Sequence, residues 1–503
     1  MSTTKVVEES VSPVTGERYP LPGGRSDDRA GIDTFLSSHP DKPVVVVQGV
    51  GFVGAVMSLV CANALDEDYA VIGVDLPTPK AFWRIQSLND GVFPLTAEDP
   101  KIEEFYARAR ERGNFYATFD PYAYAVADVV IVDINLDVDK QATEWGRLEG
   151  YDVDLSGFRA AIGAIGSQCR QDVLVLVETT VPPGTCEKVV TPILDGELVK
   201  RGLPTDRYRL GHSYERVMPG PDYIDSIRTF PRVYAGVDTA SADAVEAFLK
   251  TVIDTEACPL TRLESTTATE MAKVLENAYR AMNIAFIVEW SRFAEEAGVD
   301  LYDIVHAIRQ RPTHANLMFP GIGVGGYCLT KDPLLASWSR QELFGSDEPL
   351  AHSERAVRVN DRMPVFAYDF LQQCFGDLAG VRVLLLGVSY RGEVGDTRSS
   401  PVDLFYDCLV DAGAEVVLHD PYVTHWPEKS LDVHQSLQHA LAERPAVVAV
   451  STGHAVYSQA ATIELLMERE ALFVYDTIGV YSAEQIVRMR RHHVVKVLGR
   501  GDL

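Results

Sequence analysis

Basic residues are in short supply in this sequence. The 503-residue chain carries 46 Lys and Arg against 72 Asp and Glu, a formal net charge of −26. Such an acidic excess repels phosphate backbones and anionic lipid, so neither nucleic acid nor a membrane surface is expected as a partner. Cysteine is sparse too. The seven residues stand at 61, 169, 186, 258, 328, 374 and 408, with no Cys-x-x-Cys pair and no zinc-ligand spacing. No disulfide framework and no metal are expected, and a reducing, cytoplasmic compartment is. Short-period repeats and low-complexity tracts are missing. The first twenty residues, MSTTKVVEESVSPVTGERYP, mix in acids early and lack an apolar centre, so they do not read as a signal peptide. One uncharged run, residues 43–65, is long enough to span a bilayer by hydropathy alone. Its glycines at 49, 51 and 54 follow four valines, which suits a buried strand, a tight turn and a helix better than one continuous helix.

What is present is an ordinary globular composition, 46% apolar and 23% charged, long enough for several cores. Residues 1 to about 40 are rich in Ser, Pro, Gly and Asp and read as a polar, flexible or loosely docked extension. Strand-like runs then alternate with helical patterns: VVVV at 44–47, AVIGVD at 70–75, DVVIVDI at 128–134 and DVLVLVE at 172–178. This alternation marks parallel βαβ units. From about Ser265 to Ile308, apolar residues at three- and four-residue spacing predict a long helix. Alternation resumes with VRVLLLG at 381–387, AEVVLHD at 414–420, AVVAVST at 446–452 and LFVYDT at 472–477. The expected architecture is α/β: two Rossmann-like doubly wound lobes, 41–255 and 371–503, joined by a helical central domain, 256–370.

Three segments carry chemistry. Gly49-Val50-Gly51-Phe52-Val53-Gly54 lies between a strand and a helix, where glycines make the turn and admit a pyrophosphate to the helix N–H groups. Asp75, at the end of the next strand, is placed to accept hydrogen bonds from a ribose diol, and its charge favours NAD over NADP. The second segment, Gly323-Val324-Gly325-Gly326-Tyr327-Cys328-Leu329-Thr330-Lys331-Asp332-Pro333, puts a cysteine on a glycine-rich loop beside a lysine. This reads either as a reactive thiol or as a small apolar residue in a turn. In the third, Lys273 and Asn277 share one helix face, where they form an oxyanion-binding pair or simply a solvated surface.

Together these segments resemble the UDP-glucose/GDP-mannose dehydrogenase family over nearly all of residues 43–500. The resemblance also includes Leu88-Asn89-Asp90-Gly91 with Pro94, Glu98 and Pro100; Glu178-Thr179-Thr180-Val181-Pro182-Pro183-Gly184-Thr185; and Glu215-Arg216-Val217-Met218-Pro219-Gly220. In the last lobe it includes Gly387, Tyr390-Arg391-Gly392, Asp396-Thr397-Arg398-Ser399-Ser400-Pro401 and His419-Asp420-Pro421-Tyr422. The resemblance implies NAD-dependent four-electron oxidation of the C6 hydroxyl of a nucleotide sugar to a uronic acid. Cys328 is then the nucleophile, passing through a thiohemiacetal and a thioester. Lys273 and Asn277 are oxyanion donors, Asp332 orients water or Lys273, Glu215 is the base for thioester hydrolysis, and Thr180 helps hold the water. It also places Phe52, Val53, Thr180 and Lys331 with the glycines and Asp75 at the cofactor. Glu215, Arg216, Lys273, Asn277, Gly325, Gly326, Tyr390, Arg391 and Arg398 fall at the UDP-sugar. A homodimer or larger assembly of the chain is implied as well.

Some positions depart from the pattern. Ser213-Tyr214-Glu215 replaces a Ser-Pro-Glu run, INLDVD after Asp133 replaces a Val-Pro-Thr-Pro run, and Asp476-Thr477-Ile478 lacks the arginine and asparagine often found there. The Glu-Arg-Val-x-Pro-Gly form resembles the branch acting on UDP-N-acetylhexosamines, whereas the Lys331-Asp332 pair resembles UDP-glucose enzymes. The first is preferred. Two other readings stand beside it. One is a two-electron dehydrogenase of the 6-phosphogluconate or hydroxyisobutyrate type, which needs no thiol. The other is a binding protein that kept the fold and lost catalysis, which has no need of a nucleophile.

Overall fold

The computed structural model describes residues 8–503 except 24–26, 96–98, 144 and 218–219, so Glu98, Met218 and Pro219 of the motifs lie outside the described residues. The chain divides into two compact units. The first comprises residues 1–137 and 153–274, the second residues 138–152 and 275–503.

The first unit opens with an antiparallel hairpin, β1 (Glu9–Val11) and β2 (Arg18–Pro20), followed by helix α1 (Arg29–Ser37). The expectation of a loose extension fails here. Ser10, Ser12, Ile32, Phe35 and His39 are buried, and Asp28 accepts hydrogen bonds from Tyr116 Oη at 2.8 Å and Thr118 Oγ1 at 2.6 Å. A few apolar and hydroxyl side chains at regular strand and helix positions are enough to dock a segment whose composition is polar.

Next come β3 (Val44–Gln48), helix α2 (Phe52–Ala62), β4 (Ala70–Val74), helix α3 (Phe82–Asp90), β5 (Phe115–Thr118) and β6 (Val129–Val132). After β6 the chain contributes a hairpin, β7 (Asp139–Ala142) and β8 (Leu148–Asp152), to the second unit. It returns to the first as β9 (Leu174–Val177), β10 (Arg209–His212), β11 (Val233–Gly236) and β12 (Thr261–Arg262). The eight-stranded sheet runs β12-β11-β10-β9-β6-β3-β4-β5, with only β10 and β11 antiparallel to each other. Every residue of β3, β4, β6 and β9 is buried, as β-branched runs covered on both faces require. The strand order reverses direction at β3, so its carboxyl end is the crevice where doubly wound sheets bind ligands.

The long helix, Thr266–Ala297, crosses the unit boundary between Val274 and Leu275. It is shorter than the sequence pattern suggests. Gly298, at φ +70°, stops it, and Asp300 caps a separate helix, Leu301–Arg309, by accepting from Tyr302 N and Asp303 N. The second unit contains a five-stranded parallel sheet. In chain order its strands are β13 (Arg382–Leu386), β14 (Glu415–His419) and, after a small hairpin of β15 (His425–Trp426) and β16 (Leu431–Asp432), β17 (Val447–Val450), β18 (Phe473–Asp476) and β19 (Val494–Val497). The sheet order is β14-β13-β17-β18-β19. Among the described residues, no helix is long and apolar enough to cross a membrane.

Candidate active site

The β3–α2 turn sorts its glycines by role. Gly49 has φ +94°, and a Cβ there would lie 2.4 Å from the Asp133 carbonyl oxygen; at Gly54 it would lie 1.9 Å from the Gly49 carbonyl. Those two make the turn and the close helix packing. A Cβ at Gly51 would meet nothing within 4 Å. Gly51 is also the N-cap of α2 and offers no capping side chain, and the start of a helix is where an anion is favoured. Phe52 begins the helix, its carbonyl accepting from Tyr223 Oη at 2.6 Å, and Val53 follows half-buried.

Asp75 follows β4 with its side chain 11% exposed. Its Oδ1 accepts from Leu76 N at 2.8 Å, and its Oδ2 pairs with Arg84 Nη1 at 3.2 Å. Burial raises its pKa above the usual carboxylate range, and the Arg84 charge offsets part of that. The turn and the acid together fit a dinucleotide.

Farther along the same strand ends, Thr180 lies half-buried after β9, while neighbouring Thr179 donates to the Val132 and Ile134 carbonyls at 3.0 and 2.9 Å. Lys273 and Glu215 come together: Lys273 Nζ donates to the Glu215 carbonyl at 2.8 Å and lies 3.7 Å from Glu215 Oε1. Glu215 Oε2 also accepts a short hydrogen bond from Val217 N. Arg216 donates to the Pro231 carbonyl at 2.9 Å.

The sequence reading assigned no role to several polar groups here. Glu178 and Arg232 form a fully buried ion pair at 2.6 Å. Beside them Asp133 has a buried Oδ2 with no hydrogen-bond partner. Burial and the Glu178 and Glu215 charges push its pKa well above the usual range. Glu270 accepts from Gly184 N at 2.5 Å and Cys186 N at 2.8 Å, bracing the turn after Thr180; burial raises its pKa to about 7. Glu270 stands three residues before Lys273, a helix-face spacing that is visible in the sequence. Glu178, Asp133 and Arg84 carried no such spacing signal.

In the second unit, the Cys328 carbonyl accepts from Lys331 N at 3.3 Å and Asp332 N at 3.0 Å, so the turn winds directly into the helix Asp332–Glu342. Cys328 is exposed, and none of the seven cysteines is in a disulfide. Asp332 is fully buried and clamped on both sides: Asn277 Nδ2 donates to Oδ2 at 2.6 Å and Lys331 Nζ to Oδ1 at 3.0 Å. The loop glycines touch the last lobe. A Cβ at Gly325 would lie 2.3 Å from the Ser399 carbonyl, and one at Gly326 would lie 2.8 Å from the Tyr390 ring. Arg398 forks onto Asp396, with Nη2 to Oδ2 at 2.6 Å and Nε to Oδ1 at 2.9 Å. Tyr390 N accepts no role in chemistry by itself but donates to the Asp396 carbonyl at 2.9 Å, which closes the loop that carries Arg391. Among the described residues no cluster of His, Cys, Asp and Glu could hold a metal ion.

Three family models match the chain: the UDP-glucose/GDP-mannose dehydrogenase NAD binding domain over residues 43–253, the central domain over 267–362, and the UDP binding domain over 384–483. The chain belongs to the UDP-glucose/GDP-mannose dehydrogenase family. It is an NAD-dependent nucleotide-sugar dehydrogenase. Among its relatives, UDP-N-acetyl-D-mannosamine dehydrogenase of Pyrococcus horikoshii is 28% identical over 415 residues, covering 82% of this chain and 89% of the relative. The NDP-N-acetyl-D-galactosaminuronic acid dehydrogenase of Ralstonia nicotianae is 25% identical, covering 89% and 98%. The crystal structure of NDP-N-acetyl-D-galactosaminuronic acid dehydrogenase from Methanosarcina mazei superposes with TM-score 0.75 at 26% identity, covering 94% of this chain and 98% of that one.

Proposed function

We propose that this enzyme oxidises the C6 hydroxyl of a UDP-N-acetylhexosamine to the uronic acid. Cys328 is the nucleophile. NAD, when bound, accepts hydride, and two equivalents are consumed per sugar. Cys328 Sγ adds to the C6 aldehyde to give a thiohemiacetal, which keeps the aldehyde from escaping. Loss of the second hydride leaves a thioester. Glu215 takes a proton from the water that attacks the thioester, Thr180 helps hold that water, and thiol and carboxylate are the products. Lys273 and Asn277 stabilise the oxyanion that forms at each addition.

The observation that carries the reading is the setting of Cys328: an exposed residue on a turn whose carbonyl accepts from Asp332 N at the start of a helix, with the Asp332 side chain buried and held by Asn277 and Lys331. A binder without catalysis has no use for an exposed nucleophile at that position. The N-acetylated substrate is supported by the Glu215-Arg216-Val217-x-x-Gly220 form and by the names of the relatives. UDP-glucose is the second reading, favoured by the Lys331-Asp332 pair. Gly325, Gly326, Tyr390, Arg391 and Arg398 are assigned to the UDP-sugar, with Arg398 released from Asp396 to the diphosphate.

A homodimer through the long helix also belongs to this proposal. Leu275, Tyr279, Met282, Phe286, Trp290 and Phe293 are all exposed at spacings of four and three residues, an apolar stripe that a second helix would cover. A cytoplasmic location accords with seven cysteines outside disulfides.

The test is turnover with UDP-N-acetylmannosamine, UDP-N-acetylglucosamine, UDP-N-acetylgalactosamine, UDP-glucose and GDP-mannose. An acetamido sugar should give two NADH per acid formed. Cys328→Ala should lower kcat by at least about a thousandfold. Full activity in that variant would end the covalent mechanism, and preference for UDP-glucose would end the substrate assignment.

A further inference from the structure

Helix α3 lacks an N-cap of its own. Ala81 occupies that position and makes no side-chain cap; Phe82 N finds the Thr78 carbonyl at 2.9 Å and Arg84 N the Ala81 carbonyl at 3.0 Å, and Trp83 N takes its acceptor from elsewhere. It comes from the N-terminal hairpin. Ser10, on β1 and fully buried, accepts from Trp83 N at 2.9 Å and donates to the Pro79 carbonyl at 2.7 Å. A hydroxyl can do both at once, so one side chain ties the start of α3 to the loop that precedes it. In the hairpin register Ser10 faces Tyr19, whose ring packs against the core of the first unit.

Arg84, one residue after Trp83, holds Asp75 Oδ2 at 3.2 Å, while Leu76 N holds Oδ1. Each oxygen keeps acceptor capacity for a further hydrogen bond. Arg84 shares the carboxylate with the Leu76 and Val50 N–H groups, and it is the one of the three that stands in the first turn of α3.

We propose that the N-terminal hairpin is a working part of the cofactor site: Ser10 caps α3 from outside, α3 places Arg84, and Arg84 orients the Asp75 carboxylate toward the adenosine ribose of NAD. Ser10 is a positioning residue in this arrangement. The inference rests on the reading of Asp75 as the ribose acceptor.

The experiment measures NAD affinity of the full-length protein by calorimetry, together with KM for NAD, KM for the UDP-sugar, and kcat. Ser10→Ala should weaken NAD binding by about three- to tenfold, the scale of a lost helix cap, with kcat and sugar KM unchanged. Ser10→Thr, which keeps the hydroxyl, should restore affinity. Because Ser10 acts through Arg84, Ser10→Ala should add little to Arg84→Leu. Tyr19→Ala, which loosens the hairpin without touching the cap atoms, should move affinity in the same direction. Arg18→Ala breaks only an exposed pair with Glu9 and serves as the control. If Ser10→Ala lowers thermal stability but leaves NAD affinity intact, or if its effect adds in full to that of Arg84→Leu, the proposal is overturned. Asp75→Ser separates the two layers. Weaker binding in Asp75→Ser beside an unaffected Ser10→Ala overturns the hairpin's role alone, whereas weaker binding in Ser10→Ala beside an unaffected Asp75→Ser overturns the route through Arg84 and Asp75 together with the ribose assignment.

Discussion

The two α/β lobes start alike and end up with different uses for the same positions. Each begins strand, glycine turn, helix, with an acid at the end of the second strand. In the first lobe Gly51 faces open space, and Asp75 accepts from Leu76 N, has the Val50 N–H beside it as well, and pairs with Arg84. In the second lobe, the residue in the place of Gly51 is Ser389, whose hydroxyl donates to the Arg391 carbonyl at 3.0 Å. The acid in the place of Asp75 is Asp420, which is fully buried. It accepts from Val388 N at 2.9 Å, Ser389 N at 3.2 Å, Tyr422 N at 2.8 Å and Val423 N at 3.2 Å. His454 Nδ1 accepts from Glu393 N, so Nε2 carries the proton it shares with Asp420 at 3.1 Å. The second lobe has spent its turn and its acid on holding itself together. A shared fold therefore does not carry a shared ligand, and the difference lies in which polar groups are already satisfied.

Gly51→Val should give the largest separation of the lobes. Its side chain fits the protein but fills the pyrophosphate position, so NAD affinity should fall on the order of a thousandfold with the melting temperature unchanged. Unchanged NAD binding would remove the turn from the cofactor site.

Asp420→Asn should do the opposite, costing about 3 kcal/mol of stability while leaving NAD affinity alone. Its pH dependence has a definite sign. Burial alone would raise the Asp420 pKa, but the His454 and backbone hydrogen bonds outweigh it and hold it below the ordinary 3.8. A depressed carboxylate contributes stability that is present above its unfolded pKa and lost as pH falls through the folded one. Thermal denaturation from pH 7 down to 3 should show that acid-side loss in the parent and a smaller one in Asp420→Asn. Equal slopes would show that Asp420 is not the group that carries it.

Gly387→Ala is the smallest of the three. At φ +97° its Cβ would lie 2.3 Å from Thr452 Cβ, so about 1–3 kcal/mol of stability should be lost, again without a change in NAD affinity. A loss of NAD affinity instead would mean that the second turn does serve the cofactor.

Much of the site was legible because its signals are local. Valine runs mark buried parallel strands, the Gly49 to Gly54 spacing marks a turn into a helix, and Lys273 with Asn277 marks one helix face. Other features join residues far apart in the chain and leave no spacing to read. Ser10 reaches Trp83, Arg232 pairs with Glu178, and Asn277 meets Asp332 only once the helices pack. The N-terminal segment misled for a related reason: its polar composition hides the few buried side chains that dock it.

By itself the sequence determined the class of fold, the family and the cofactor, because periodicity and short motifs are properties of neighbouring residues, and it supplied Cys328 as the nucleophile proposed above. Only the tertiary structure decided which acid stays available and which is consumed, which glycine is open and which is packed, and that a hairpin at the start of the chain caps a helix beside the cofactor turn. Those outcomes depend on where each hydrogen-bonding group finds its partner, and a partner seventy residues away is chosen by packing.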